Sequence, residues 1–208
     1  MGRLALIAGL LIALAIPVTA DASTQWSYTA EAGGKRKPIA EGTRVSVPTT
    51  SSKFTVVLKE PKASPVKFPC AVHGSNEFWN TPEGGRDRTS SISFACAGAT
   101  VTPFLPWTST LAESEYPLFD QWTVSLDLEV GGIDKGTFSG VLEAKVGDVD
   151  PEGEKGEVGK DELDNNIYFK GGRSTKLPHL HLTALNGNEL WFSGYQRQGG
   201  NATGVGDE

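Results

Sequence analysis

Hydrophobic and polar residues alternate one for one along much of the chain. The clearest run is 121–130, where Trp122, Val124, Leu126, Leu128 and Val130 alternate with Thr123, Ser125, Asp127 and Glu129. A period of two places the first set on one face of an extended strand and the second on the other, so the run reads as a half-buried β-strand. Comparable stretches lie at 25–30, 43–48, 53–59, 66–72, 91–97, 137–146, 166–170, 179–185 and 189–196. Gly, Pro, Ser, Asn and Asp punctuate them, as turns require. The Gly-rich loop 131–136 returns strand 121–130 into 137–146. Asn186-Gly187 marks a second hairpin, because both residues tolerate positive φ. Ten or so short strands without crossover helices predict an all-β chain with negligible helix, either an antiparallel β-sandwich or a partly open barrel of about 8–10 short strands.

One segment departs from this pattern. Met1-Gly2-Arg3 precedes an apolar run from Leu4 to Ile16, Pro17 breaks it, and small residues follow through Ser23. Basic start, apolar core and small-residue site are the order of a secretory signal peptide, with cleavage expected after Ala20 or Ala22. The apolar run is too short to cross a bilayer of about 30 Å as a helix, so no membrane span is expected in the mature chain. Residues 23–196 are then expected to form a single β domain. Pro103, Pro106 and Pro117 bracket a connection at 101–116 where two lobes could meet, but one domain is the simpler reading. Segment 147–166 is a charge-rich, Gly-rich acidic insert without periodicity, and 197–208 is a polar Gly-rich tail expected to be disordered.

Composition narrows the partners. The net charge is −6, and removing Arg3 with Asp21 leaves it unchanged. An acidic chain lacks the basic surface that displaces counterions from phosphates, so no nucleic-acid partner is expected. Cys70 and Cys96 are the only cysteines, and each falls on the apolar phase of an alternating segment, with Val66, Phe68 and Val72 or with Ile92 and Phe94. Export would place them in an oxidising compartment, and neither C-x-x-C nor another thiolate signature is present, so they are expected to form a structural disulfide. A bridge closing a loop of about 27 residues is worth roughly 3.5 kcal/mol in the chain-entropy account.

Three groups carry candidate chemistry. His179 and His181 on a strand would project from one face about 6.5–7 Å apart, a geometry that suits zinc or copper, with His73 the only other histidine able to complete the site. Asp148, Asp150 and Glu152 begin like a calcium loop, but the twelfth position, which needs a bidentate Glu, is Gly159. That excludes an EF-hand and leaves a looser calcium site. Trp79 and Trp107 fall outside the strongest alternating runs, where loop aromatics contact ligands or plug the ends of a β fold. No G-x-S-x-G or S-x-x-K set supports a serine hydrolase, so no catalytic residue is assigned. The expectation is a secreted, non-catalytic β-sandwich that binds an extracellular ligand or protein. The alternatives are a small extracellular metal-dependent enzyme using His179 and His181, or an envelope-associated structural protein whose acidic loop takes calcium. Thiol titration of the denatured, exported protein is expected to find no free thiol, and two free thiols would contradict the bridge.

Overall fold

The computed structural model describes residues 25–29, 37–112, 119–146, 166–173, 179–199 and 204–207. Their regular structure is entirely β: β1 (Trp26–Thr29), β2 (Lys37–Pro38), β3 (Val45–Lys59), β4 (Val66–Thr81), β5 (Gly84–Cys96), β6 (Ala99–Pro103), β7 (Trp107–Ala112), β8 (Phe119–Val130), β9 (Ile133–Val146), β10 (Asn166–Lys170), β11 (Leu182–Thr183), β12 (Glu189–Gln198) and β13 (Gly204–Asp207). Strands β3 to β12 form one antiparallel ring. β6 and β7 lie end to end between β5 and β8, and β10 and β11 share the position between β9 and β12. β12 then pairs with β3 from Glu189↔Lys59 to Gln198↔Thr49, which closes an eight-position barrel.

Of the two expected architectures, the barrel is the one that forms, and its ring is closed rather than partly open. Alternation records only that one face of each strand is buried, and both architectures bury one face. What decides is the β12–β3 pairing, between segments more than a hundred residues apart. The stretch 101–116 is likewise no lobe boundary over its described residues. Pro103 and Pro106 interrupt one ring position, since proline cannot donate to the ladder, and Phe104 N–H still bonds Ser125 O at 2.9 Å.

Several strands are longer than alternation suggests. β3 carries a bulge between Ser51 and Phe54, so Val47, Thr49 and Ser51 face inward before it and Phe54, Val56 and Leu58 after it. One extra residue flips the phase and splits a single strand into two apparent ones. β4 continues past Val72 with Asn76, Phe78 and Asn80 buried, and β5 begins at Gly84 with Asp87 and Thr89 buried. Polar residues at inward positions hide those extensions.

Both expected hairpins form, the first with a tighter turn and the second with a turn one residue longer. Gly131 (φ 59°) and Gly132 (φ 79°) alone connect β8 to β9. The second turn uses three residues: Ala184 O accepts from Gly187 N–H at 3.0 Å, and Gly187 takes φ 82°. The cysteines are cross-strand partners on β4 and β5, bonded as Cys70–Cys96 with Cα atoms 4.0 Å apart. The expected disordered tail differs most: Arg197 and Gln198 complete β12, and β13 pairs with β1, Trp26↔Asp207 through Thr29↔Gly204.

The interior has two apolar zones. In the larger, Phe54, Phe94, Trp107, Phe169 and Phe192 pack ring against ring at 5.1–6.4 Å. A barrel of about eight strands is just wide enough for side chains to fill, and here aromatics fill it. The smaller zone is Trp26, Ile39, Val47, Phe78, Leu111 and Val146, where the three-stranded sheet β13–β1–β2 meets the barrel. Asn80 fastens β1 there. Its Oδ1 accepts from Trp26 N–H at 2.7 Å, and its Nδ2 donates to Trp26 O (2.8 Å) and Ile39 O (2.9 Å). Trp26 lies so close to Gly85 that a Cβ there would sit 2.7 Å from its Cδ1. Gly85→Ala is therefore expected to cost about 1–3 kcal/mol in urea unfolding by overpacking. An unchanged midpoint would show that Trp26 does not pack against β5.

Candidate functional site

Two features of the barrel bring polar side chains together, one outside and one inside. On the outer face, the extra residue of β3 between Thr50 and Phe54 shifts the register toward both of its neighbours, β4 and the Gly194–Arg197 stretch of β12. Gly194 has φ 119°, and a Cβ on it would come within 2.2 Å of Lys53 O, so only glycine permits this approach of the two strands. A bulge shared with both neighbours twists β3 locally and opens the surface beside it. The result is a groove of about 310 Å³ lined by Thr50, Ser51, Ser52, Ala71, His73, Tyr195 and Arg197. Arg197, Thr50 and His73 are successive partners across β12, β3 and β4, so they form one row on the outer face.

Inside, a polar layer separates the two apolar zones. Its members, Thr49, Ser51, Asn76, Asp87, Thr89, Ser109, Asp120, Gln196 and Gln198, are all buried. Asp87, Ser109 and Trp122 are in register across β5, β7 and β8, with Asp120 two residues before Trp122 on the same face. Part of the layer is satisfied. Gln198 Oε1 accepts from Thr49 Oγ1 at 2.6 Å and from Asn76 Nδ2 at 3.0 Å, and the Trp122 indole N–H donates to Asp120 Oδ2. Both oxygens of Asp87, Oδ1 of Asp120 and Asn76, and the hydroxyls of Thr89 and Ser109 have no hydrogen-bond partner among the described residues. So does the Trp26 indole nitrogen.

The carboxyls of Asp87 and Asp120 lie against each other and against Ser109. Two ionised carboxylates only accept, so the pair gains a hydrogen bond only when one of them carries a proton. Burial pushes the Asp87 carboxyl well above its usual range, and the Asp120 charge pushes it further in the same direction. Burial also raises Asp120, to about 6, against the lowering effect of the neighbouring Asp87, Ser109 and Trp122. Among the described residues, no Lys, Arg or His is a main influence on either carboxyl. Both shifts run toward the protonated form, so the folded pair holds protons more tightly than the unfolded chain does.

The residues singled out by sequence are dispersed. His73 lines the outer groove. His179 and His181 lie outside β11: His179 is exposed with φ 61°, its carbonyl accepts from Glu143 N–H at 2.9 Å, and only Leu182 and Thr183 are strand. That bend removes the shared strand face on which the two-imidazole argument rested. Among the described residues, no three His, Cys, Asp or Glu side chains converge to hold a metal. Asp148, Asp150 and Glu152 fall outside the described residues. Trp79 is on β4 rather than in a loop, half-buried beneath the Arg44 guanidinium at 4.4 Å, and Arg44 also pairs with Glu77 at 2.5 Å. Trp107 opens β7 and is buried in the barrel, its indole N–H bonded to Ser125 O at 2.9 Å. Sequence reasoning missed Asp87 and Asp120, which read as ordinary surface acids. The available signal was Asp120 standing two residues before Trp122, in phase with the apolar face. No helix among the described residues is long and apolar enough to cross a membrane.

Comparison with known protein families, with curated proteins and with solved structures finds no match.

The carboxyl pair makes stability depend on pH in a definite direction. Folding raises both proton affinities, so above about pH 4 the folded chain holds more protons than the unfolded one. The pair's contribution is then present at low pH and lost as pH rises through about 6. A shift of about two units at Asp120 corresponds to about 3 kcal/mol. In chelator-treated buffer, urea unfolding of the wild type is expected to lose stability relative to Asp120→Asn between pH 4.5 and pH 7.5. A difference that is flat or of opposite sign would place Asp120 in water.

Proposed function

We propose that the chain is a secreted, non-catalytic binding barrel whose ligand docks in the outer groove over β12, β3 and β4. The observation that carries this reading is the coincidence of the β3 bulge with one polar groove. A filled barrel leaves the outer face as the place for a ligand, and bulges are a common device for re-aiming side chains at such a place. The groove's volume, about 310 Å³, is at the lower end of small-ligand sites, roughly 300–1,000 Å³.

The lining argues for an anionic, hydroxyl-bearing ligand such as an acidic oligosaccharide. A guanidinium presents paired donors to a carboxylate or sulfate, and Thr50 and Ser52 supply hydroxyls. The Tyr195 ring offers an apolar face with a polar edge, as sugar stacking requires. Arg197 also puts a guanidinium in the groove of a chain of net charge −6, which draws an anion to this spot. None of the described lining residues is a carboxylate that would orient His73 as a base, which supports binding over catalysis. The leader-like segment before Ser23 and the Cys70–Cys96 bridge support export.

Calorimetric titration with an acidic and a neutral oligosaccharide of equal length tests the reading. Binding of the acidic one is expected, with Arg197→Gln weakening it at least tenfold, about 1.4 kcal/mol. Equal affinity for both sugars, or an Arg197→Gln variant that binds as well as wild type, would remove the groove as the site.

A further inference from the structure

We infer that the interior polar layer is a binding site for a hard divalent cation, with calcium its best-fitting occupant, held between Asp87 and Asp120. Six oxygen atoms there lack any hydrogen-bond partner among the described residues: Asp87 Oδ1 and Oδ2, Asp120 Oδ1, Asn76 Oδ1, Thr89 Oγ1 and Ser109 Oγ. The five residues that carry them are at least nine-tenths buried, and they occupy the inner face of the neighbouring strands β4, β5, β7 and β8. Asn76 and Thr89 are direct cross-strand partners, Asp87 is two residues from Thr89 on the same face, and Asp87 is the cross-strand partner of Ser109.

The donor set decides the class of ion. It is all oxygen, two carboxylates with neutral hydroxyl and amide groups, and contains no imidazole or thiolate, so it suits calcium before zinc or copper. Calcium accepts six to eight oxygens in irregular geometry, whereas magnesium demands a near-ideal octahedron and keeps several waters. Charge points the same way. Two ionised carboxylates in a buried interior need a compensating cation, and among the described residues no Lys, Arg or His is a main influence on either of them. An ion displaces the shared proton and satisfies the orphaned oxygens together. Because β13–β1–β2 caps the neighbouring apolar zone, the ion is taken up as the chain folds and is released slowly afterwards.

The test is to refold the full chain from guanidinium at pH 7.5 with calcium chloride, magnesium chloride or chelator, and to measure the thermal midpoint of each product. Calcium is expected to raise the midpoint by at least 5 °C, a shift that corresponds to about 1.3–2.5 kcal/mol in a domain of this length, and magnesium by clearly less. Terbium, used in place of calcium, is expected to luminesce on tryptophan excitation through Trp122, whose indole contacts Asp120. Asp87→Asn and Asp120→Asn are each expected to abolish both effects. Thr89→Val, which removes one oxygen at nearly constant volume, is expected to weaken calcium binding about tenfold and decides the matter if the Asn variants do not fold. Identical midpoints in calcium and chelator overturn the proposal, since water then completes the layer. Calcium binding that survives Asp87→Asn and vanishes in Asp148→Asn/Asp150→Asn also overturns it, because the acidic insert is then the site. Neither outcome bears on the outer groove, which shares no side chain with these five residues.

Discussion

Because β12 pairs with β3 along its length, the sheet has no edge and its inner face is cut off from water. Each buried side chain must then find its partners inside. Apolar residues meet this demand by contact alone, and the ring-on-ring packing of Phe54, Phe94, Trp107, Phe169 and Phe192 fills the larger zone. The smaller zone depends on the closure as well. Trp26 packs edge-on against Phe78 at 4.9 Å, and Asn80, projecting inward from β4, holds the backbone of β1 and of Ile39. Outside, the same closure sets β12 beside β3, where the β3 bulge opens the groove.

The polar layer is where closure is costly. A buried polar atom left unpaired costs about 1–3 kcal/mol, and a folded domain retains only about 5–15 kcal/mol in all. Six unpaired oxygens around Asp87 and Asp120 would therefore cost about as much as the whole fold is worth. The layer must be completed, whether by a shared proton, by water or by an ion. Burial has already selected the proton-holding state of the carboxyls, since desolvation is the largest influence on both. The aromatic zone allows no comparable choice of occupant. This makes the layer, rather than the core's apolar bulk, the part of the interior able to respond to its surroundings.

The all-β class, the disulfide and both hairpins were legible because their signals are local. Alternation in 121–130 needs only neighbouring residues, and Gly131-Gly132 states its own turn. Closure was not legible, since nothing near Glu189 names Lys59 as its partner. The site was hidden for a second reason. Inward-facing Asn76, Asn80, Asp87 and Thr89 occupy positions where the pattern calls for apolar residues, so β4 and β5 appeared to stop short of them. The bulge at Ser51–Phe54 reversed the phase of β3 at the groove itself. Local rules thus failed at the two places where polar chemistry is gathered, as expected when a fold departs from its pattern for a reason other than packing. The histidines show the converse. Their spacing was clear, but positive φ at His179 turned the segment off the strand on which that spacing had meaning.

The account is tested most directly by crystal structures of the refolded protein grown with calcium and with chelator at the same pH. The expected result is a closed β12–β3 seam in both. With calcium, a single peak is expected between Asp87 and Asp120, about 2.3–2.6 Å from their oxygens and from those of Asn76, Thr89 and Ser109. Carboxyls opening to bulk water through a separated β12–β3 seam would contradict the closed interior. The same set of hydrogen-bonded waters in both crystals, at about 2.7–3.0 Å, would contradict the ion.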